Sequence, residues 1–375
     1  MNTANYNANK VNTYIMIRFN NMCAKGFFVV LLFTFLTLPG CTDDYGEASK
    51  EADRQKTAPE VANDGMIPNL IRVKLTEDLG NKVGTRAITA VNGMLKSNDD
   101  ALTQCLSKMG TVEMNPVFPI EPKYEERMRR EGLHLWYDIV LNPQNSIRTT
   151  TRAMNDVAGI PGVEIVELIP QYTLIGTTAD ATFSLSGGFD FEPIRPINIV
   201  MPFNDPQLPK QWHYFNNGAG LKSAKGADLN LFEAWQRETG KPNVIVAVID
   251  GGVFYEHEDL KGNIWTNPSP GIAGGTTPYI NDIHGYNFAD NCAEIAYDAH
   301  GTHVAGVVGA VNNNGIGVCG VAGGNGTSGT GVKIMVCDAF GKSKGQAFEK
   351  AFVYAANHGA VISQNSWGGA KFLSP

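Results

Sequence analysis

The sequence predicts a doubly wound α/β unit with a mostly parallel sheet over residues 206–375, preceded by a small α+β unit over residues 66–172. Three observations carry this prediction. Residues 244–250 form a nearly unbroken apolar run, the pattern of a parallel strand buried on both faces. Val304, Val307, Val308 and Val311 fall at i, i+3, i+4 and i+7, a helical stripe, and Phe348, Ala351, Phe352 and Ala355 repeat the spacing. Residues 332–336 and 360–363 supply further short strands, so strand and helix alternate along the chain.

The smaller unit reads element by element. Ile71, Val73 and Leu75 alternate with Arg72 and Lys74, a half-buried strand. Leu133, Leu135, Tyr137, Ile139 and Leu141 alternate again. Residues 147–157 read as a helix, closed by the turn Ile160-Pro161-Gly162, and residues 163–169 as a strand. Residues 173–205 carry Gly187-Gly188, Pro193, Pro196 and Pro202 with few charges, and read as a linker. Beyond it, residues 227–239 read as a helix stopped at Gly240-Lys241-Pro242. Gly359 stands where the last helix needs a C-terminal stop.

Composition bounds the function classes. The chain is 43% apolar and 18% charged with a net charge of −7, which excludes a disordered, collagen-like or multi-span membrane chain. A mildly acidic protein lacks the clustered Lys and Arg that phosphate contacts need, so nucleic acid is not an expected partner. Its 375 residues are enough for two to three domains.

Residues 27–38 are one apolar run, too short to span a bilayer but the length of a secretory core segment, with Lys25 and Arg18 on its amino side. The run ends in Leu38-Pro39-Gly40-Cys41, and residues 1–41 resemble a bacterial lipoprotein signal. That resemblance implies lipidation at Cys41 and membrane attachment through a lipid anchor. Thr42-Asp43-Asp44 resembles a surface-export signal, so the expected location is the outer membrane or cell surface of a Gram-negative bacterium. Residues 42–65 read as a solvated tether, and Met16 or Met22 as a more ordinary start than Met1. Export permits disulfides among Cys105, Cys292, Cys319 and Cys337, with all three full pairings open. Cys319 and Cys337 sit in apolar surroundings and read as buried hydrophobes.

The chemistry centres on two motifs. Asp250 closes the apolar strand and is followed by Gly251-Gly252; reacting groups of open α/β sheets gather at such strand ends. Alone, it also reads as a turn-capping Asp. Fifty residues on, His300-Gly301-Thr302-His303-Val304-Ala305-Gly306 opens a helix, whose dipole disfavours an imidazolium at its start. His300 and His303 also admit a metal-dependent hydrolase reading, though the spacing is not HExxH.

Together these motifs resemble the subtilases, the subtilisin-like serine peptidases. The resemblance implies a sheet of subtilisin type, Asp250 as orienting carboxylate and His300 as general base. It implies a polypeptide substrate and no cofactor for catalysis. It also implies a structural calcium, with Asp259, Asn313 and Gln211 among its ligands. The loop Val311-Asn312-Asn313-Asn314-Gly315-Ile316-Gly317-Val318 would add oxygens, and also reads as a plain Gly/Asn turn. Ser366, Trp367 and Gly368, in Ser363-Gln364-Asn365-Ser366-Trp367-Gly368-Gly369, resemble the segment that pairs with extended substrate. Residues 66–172 lie where the family carries an intramolecular propeptide.

The family's nucleophile stands in a GTSMAxP-like segment and its oxyanion Asn in an AAGN-like one, and neither occurs here. Gly326-Thr327-Ser328 precedes the substrate segment and lacks the following Met-Ala. The expectation is a peptidase domain that is incomplete, without its serine-bearing part and inactive as it stands. The alternative is a non-enzymatic surface lipoprotein whose propeptide-like unit is a binding or inhibitory module.

Overall fold

The structure, a computed structural model, describes residues 65–89, 97–142, 147–174, 200–218, 224–327, 329–341 and 346–369. The signal with Cys41, the tether through residue 64, most of the linker and Ser328 lie outside the described residues. No helix among the described residues is long and apolar enough to cross a membrane.

The N-terminal elements are β1 (Met66–Leu75), α1 (Glu77–Val83), β2 (Ile88–Thr89), α2 (Asp100–Lys108), β3 (Thr111–Pro116), α3 (Glu125–Arg130), β4 (Trp136–Leu141), α4 (Ile147–Ala158) and β5 (Val163–Pro170). The strands form one sheet in the order β2-β3-β4-β1-β5. Its alternation is the one the sequence predicts. Ile71 stands opposite Ile139 and Val73 opposite Tyr137, and all four are buried in a core shared with Leu102, Leu106 and Val157 of the helices. The intervening residues Arg72 and Asp138 point to the other face, as the two-residue period of a strand requires. Leu133 and Leu135 fall in a 3-10 turn, so β4 begins only at Trp136.

The C-terminal elements follow: β6 (Tyr172–Leu174), α5 (Leu231–Ala234), β7 (Ile245–Asp250), β8 (Gly285–Asn287), α6 (Ala299–Gly309), β9 (Lys333–Asp338), α7 (Phe348–Asn357), β10 (Ile362–Asn365) and β11 (Trp367–Gly369). Strands β10-β7-β9-β8 make one sheet, every pair parallel. It is wound on both faces. Ala247, Ile249, Met335 and Cys337 pack with Ala351 and Tyr354 of α7. Val248, Ile334 and Val336 pack with Ala305 of α6. The fold is the expected doubly wound α/β architecture behind an α+β unit.

Two local readings are corrected. The helix expected over residues 227–239 shrinks to one turn, α5. Asn230 takes the left-handed conformation with φ 50°, and Asp228 Oδ1 accepts the Asn230 N–H, so the chain turns where the helix would start. The linker expected from residue 173 opens instead with β6, which pairs antiparallel with β11. Cys105, Cys292, Cys319 and Cys337 are free thiols, the last two buried.

The polar face of the N-terminal sheet meets α7. Arg72, 7% exposed, donates to both carboxylate oxygens of Asp138, at 2.7 and 3.0 Å, and to Glu349 of α7. Farther along, Asn357 donates to the buried Glu121 at 2.6 Å and accepts from Arg127. Charge-assisted pairs of this geometry fix register as well as attraction.

Candidate active site

The site forms where β7 ends and α6 begins. Asp250 is the last residue of β7 and 1% exposed. His300 is the second residue of α6. Its Nδ1 lies 2.8 Å from Asp250 Oδ1. An ionised carboxylate only accepts, so Nδ1 carries the proton and donates. The Gly251 N–H also donates to Oδ1, at 2.8 Å. Asp250 Oδ2 is buried and accepts no hydrogen bond among the described residues, an unmet acceptor of the kind that warrants a functional explanation.

Local chemistry brings the two residues together. Asp298 caps α6 by accepting the Gly301 N–H at 2.9 Å. Thr302 Oγ1 donates to the Asp298 carbonyl at 2.5 Å and accepts the Phe254 N–H at 2.9 Å, tying the helix start to the loop after β7. A Cβ on Gly301 would stand 2.0 Å from the Gly252 carbonyl oxygen, so close approach of helix and loop needs glycine there.

Burial pushes the Asp250 carboxyl upward, and the nearby Asp298 adds to this. Hydrogen bonds from His300 and Gly251 oppose the shift without cancelling it. Asp250, Asp298 and His300 are the one group of three metal-capable side chains among the described residues. His303 is not in it. It lies instead beside His213, whose pKa is lowered by burial and by the charge of His303. The His300/His303 pair therefore does not converge as a metal-dependent hydrolase requires.

The predicted substrate segment lies on the neighbouring edge. Trp367 is half-buried: its indole lies 4.0 Å from the Phe348 ring centroid, and Nε1 donates to the Ile249 carbonyl at 3.0 Å. The side chain fastens β11 to the sheet while its backbone pairs with β6, Trp367 opposite Leu174 and Gly368 opposite Thr173. Ser366 Oγ accepts from Gln364 at 3.0 Å. The predicted backbone partner of a substrate strand is thus occupied by a strand of the chain itself.

The predicted calcium ligands have varied partners. Asp259 is 2% exposed and accepts from Asn314 Nδ2 at 2.8 Å and from the Val318 N–H at 2.9 Å. Gln211 exchanges two 2.8 Å hydrogen bonds with the Cys319 backbone, and Asn313 Oδ1 accepts the Asn204 N–H. Asn314, rather than Asn313, reaches Asp259. Asp205, which sequence reasoning missed, is buried and accepts from the Asn313 and Asn314 N–H groups. Its Asn-Asp-Pro setting reads as a turn and gives no sign of this role. Burial, with Asp205 adding like charge, pushes the Asp259 carboxyl upward.

A buried carboxylate and an imidazole in hydrogen-bond contact thus stand at a parallel strand end, beside an edge where two strands of the chain pair. Family models agree: the subtilase family model matches residues 241–374, and the model for the N-terminal region of the subtilase family matches residues 71–218. The chain belongs to the subtilase family. It is 39% identical over 123 residues to Subtilisin-like protease 1 of Plasmodium berghei, covering 31% of this chain and 19% of that protein. It is 33% identical over 135 residues to human Neuroendocrine convertase 2, covering 34% and 19%. The chain thus spans about a fifth of the length of the curated relatives it matches. Among solved structures, fervidolysin from Fervidobacterium pennivorans, a keratinolytic enzyme related to subtilisin, aligns with a TM-score of 0.46 at 19% identity, covering 84% of this chain and 38% of that one.

Proposed function

We propose that this chain belongs to a subtilisin-type serine endopeptidase acting on exported or extracellular polypeptides, with residues 66–172 serving as an intramolecular propeptide. The observation that carries the reading is the 2.8 Å contact between His300 Nδ1 and Asp250 Oδ1. In this reading Asp250 holds the tautomer that leaves Nε2 to take a proton from a nucleophilic hydroxyl, and its charge stabilises the resulting imidazolium. Family matches over residues 71–218 and 241–374 support this over a non-enzymatic lipoprotein.

The family's serine and oxyanion-donor motifs do not occur among these 375 residues, so in this reading the residues given do not hydrolyse peptides by themselves. In subtilisin itself, loss of the serine costs about 10⁶ in rate. A fluorophosphonate probe tests this: no labelling is expected, and labelling of a serine in this chain would overturn it. In a protein that includes the serine-bearing part, Asp250→Asn and His300→Ala should abolish propeptide removal; retained removal would refute the triad assignment.

Two further features belong to the proposal. Cys41 carries the lipid that holds the protein at the membrane, which metabolic labelling with a tagged fatty acid checks through Cys41→Ser. Asp205, Asp259 and Asn314 hold a structural calcium. Two buried carboxylates with no Lys or Arg partner among the described residues suit a hard cation.

A further inference from the structure

Asp338 is a buried carboxylate that the Asp250–His300 pair does not use. It ends β9 in register with Asp250 at the end of β7, and it is 0% exposed. Among the described residues no Lys, Arg or His pairs with it, so its oxygens depend on backbone donors. Those donors come from two different segments. Oδ2 accepts the Ala296 N–H at 3.1 Å, from the segment that leads into α6. Oδ1 accepts the Gly341 N–H at 3.3 Å, from the chain after β9, where the Phe340 N–H also donates. An asparagine has one acceptor oxygen and would turn its amide nitrogen toward one of these N–H groups. Only an ionised carboxylate serves both segments.

Ala296 carries this constraint toward the pair by packing. A Cβ on Gly252 would stand 2.2 Å from the Ala296 carbonyl oxygen, and a Cβ on Gly301 would stand 2.0 Å from the Gly252 carbonyl oxygen. Backbone therefore lies on backbone from Ala296 through Gly252 to Gly301, the residue after His300. Two residues past Ala296, Asp298 caps α6. On the other side, the Ala339 N–H donates to the Asp250 carbonyl at 2.9 Å. We infer that Asp338 is a positioning residue for the Asp250–His300 pair: it holds the segment entering α6 and the chain after β9 at once, and so sets where the imidazole meets the carboxylate. Its biological use rests on the peptidase reading, and its test needs no catalysis.

Proton NMR of the full chain reads the Nδ1 proton of His300, assigned by its loss in Asp250→Asn. In Asp338→Asn this proton should exchange with water about tenfold faster than in the parent, the worth of one hydrogen bond to a charged group. Tyr354→Phe removes a 2.7 Å hydrogen bond to another buried carboxylate, Asp282. It should lower the urea midpoint and leave the His300 proton within about twofold of the parent. An unchanged His300 proton in Asp338→Asn would overturn the inference. So would an equal response to Tyr354→Phe, which would make the effect one of general stability. The parent chain gives a second measurement whether or not Asp338→Asn folds. Its Ala296 and Gly341 amides should exchange at least about a hundredfold more slowly than free peptide, and exchange at the free rate would show that Asp338 does not hold them. Failure of these outcomes leaves fluorophosphonate reactivity untouched, so the two readings fail separately.

Discussion

Gly301 and Gly252 meet so closely that a methyl group on Gly301 would lie 2.0 Å from the Gly252 carbonyl oxygen and 3.1 Å from Asp250 Oδ1. The geometry of the Asp250–His300 pair therefore depends on a backbone contact between two glycines. Gly301→Ala should cost about 3 kcal/mol, the upper end for overpacking, because a carbonyl cannot yield as a side-chain tip can. Gly306 in the same helix has open space where its Cβ would be, so Gly306→Ala should stabilise by about 0.5–1 kcal/mol. Urea unfolding of both variants reads this contrast; a similar effect of the two would show that the contact does not matter.

Three buried carboxyls, Asp250, Asp259 and Asp338, are shifted upward by burial. A carboxyl whose folded pKa exceeds its unfolded value holds its proton longer in the folded state. Its contribution is complete below the unfolded value and is lost as pH rises through the folded one. Asp250→Asn removes the charge and keeps the shape. Its stability relative to the parent should therefore be greater at pH 7 than at pH 4, as measured by denaturant midpoints at both. A difference that does not vary with pH would place the Asp250 carboxyl at its ordinary value.

Arg72 joins the N-terminal sheet to α7 through Asp138 and Glu349. Arg72→Met leaves two carboxylates facing each other without their cation. The loss should be about 2–4 kcal/mol, below that of a fully buried pair because the Glu349 side chain is 33% exposed. Hydrogen exchange at the Thr173 and Leu174 amides should accelerate if docking at α7 holds β6 in place. Unchanged exchange would uncouple the strand from the docking face.

Calcium should raise the unfolding midpoint and a chelator should lower it, with Asp205→Asn and Asp259→Asn each removing the response. For a 1,000-fold excess of ion over its dissociation constant the stabilisation is about 4 kcal/mol. A midpoint indifferent to calcium in the parent would dismiss the ion and leave the loop a Gly/Asn turn.

What could be read in advance follows from where periodicity is strong. The strands β7 and β9 lie buried between helices, so their apolar runs were plain, and α6 and α7 carried clear stripes. Asp250 and His300 sit at fixed offsets from those elements and were legible for that reason. Strand β6 was not: three residues are too few for a period, and its pairing with β11 is a contact across almost 200 positions. Gln346, Asp298 and Asp205 act through single side chains reaching backbone groups, which leave no pattern in a sequence. The helix expected over residues 227–239 is reduced to the one-turn α5 because Asn230, with its left-handed backbone, keeps the residues before Leu231 out of the helix.

The central claim is that Asp250 holds His300 as a base with its proton on Nδ1. Nitrogen-15 NMR of the histidine-labelled chain at neutral pH reads that tautomer directly. The account predicts that His300 carries its proton on Nδ1, with a strongly deshielded proton signal that disappears in Asp250→Asn. A His300 protonated on Nε2, with an Nδ1 unable to donate to Asp250, would contradict it.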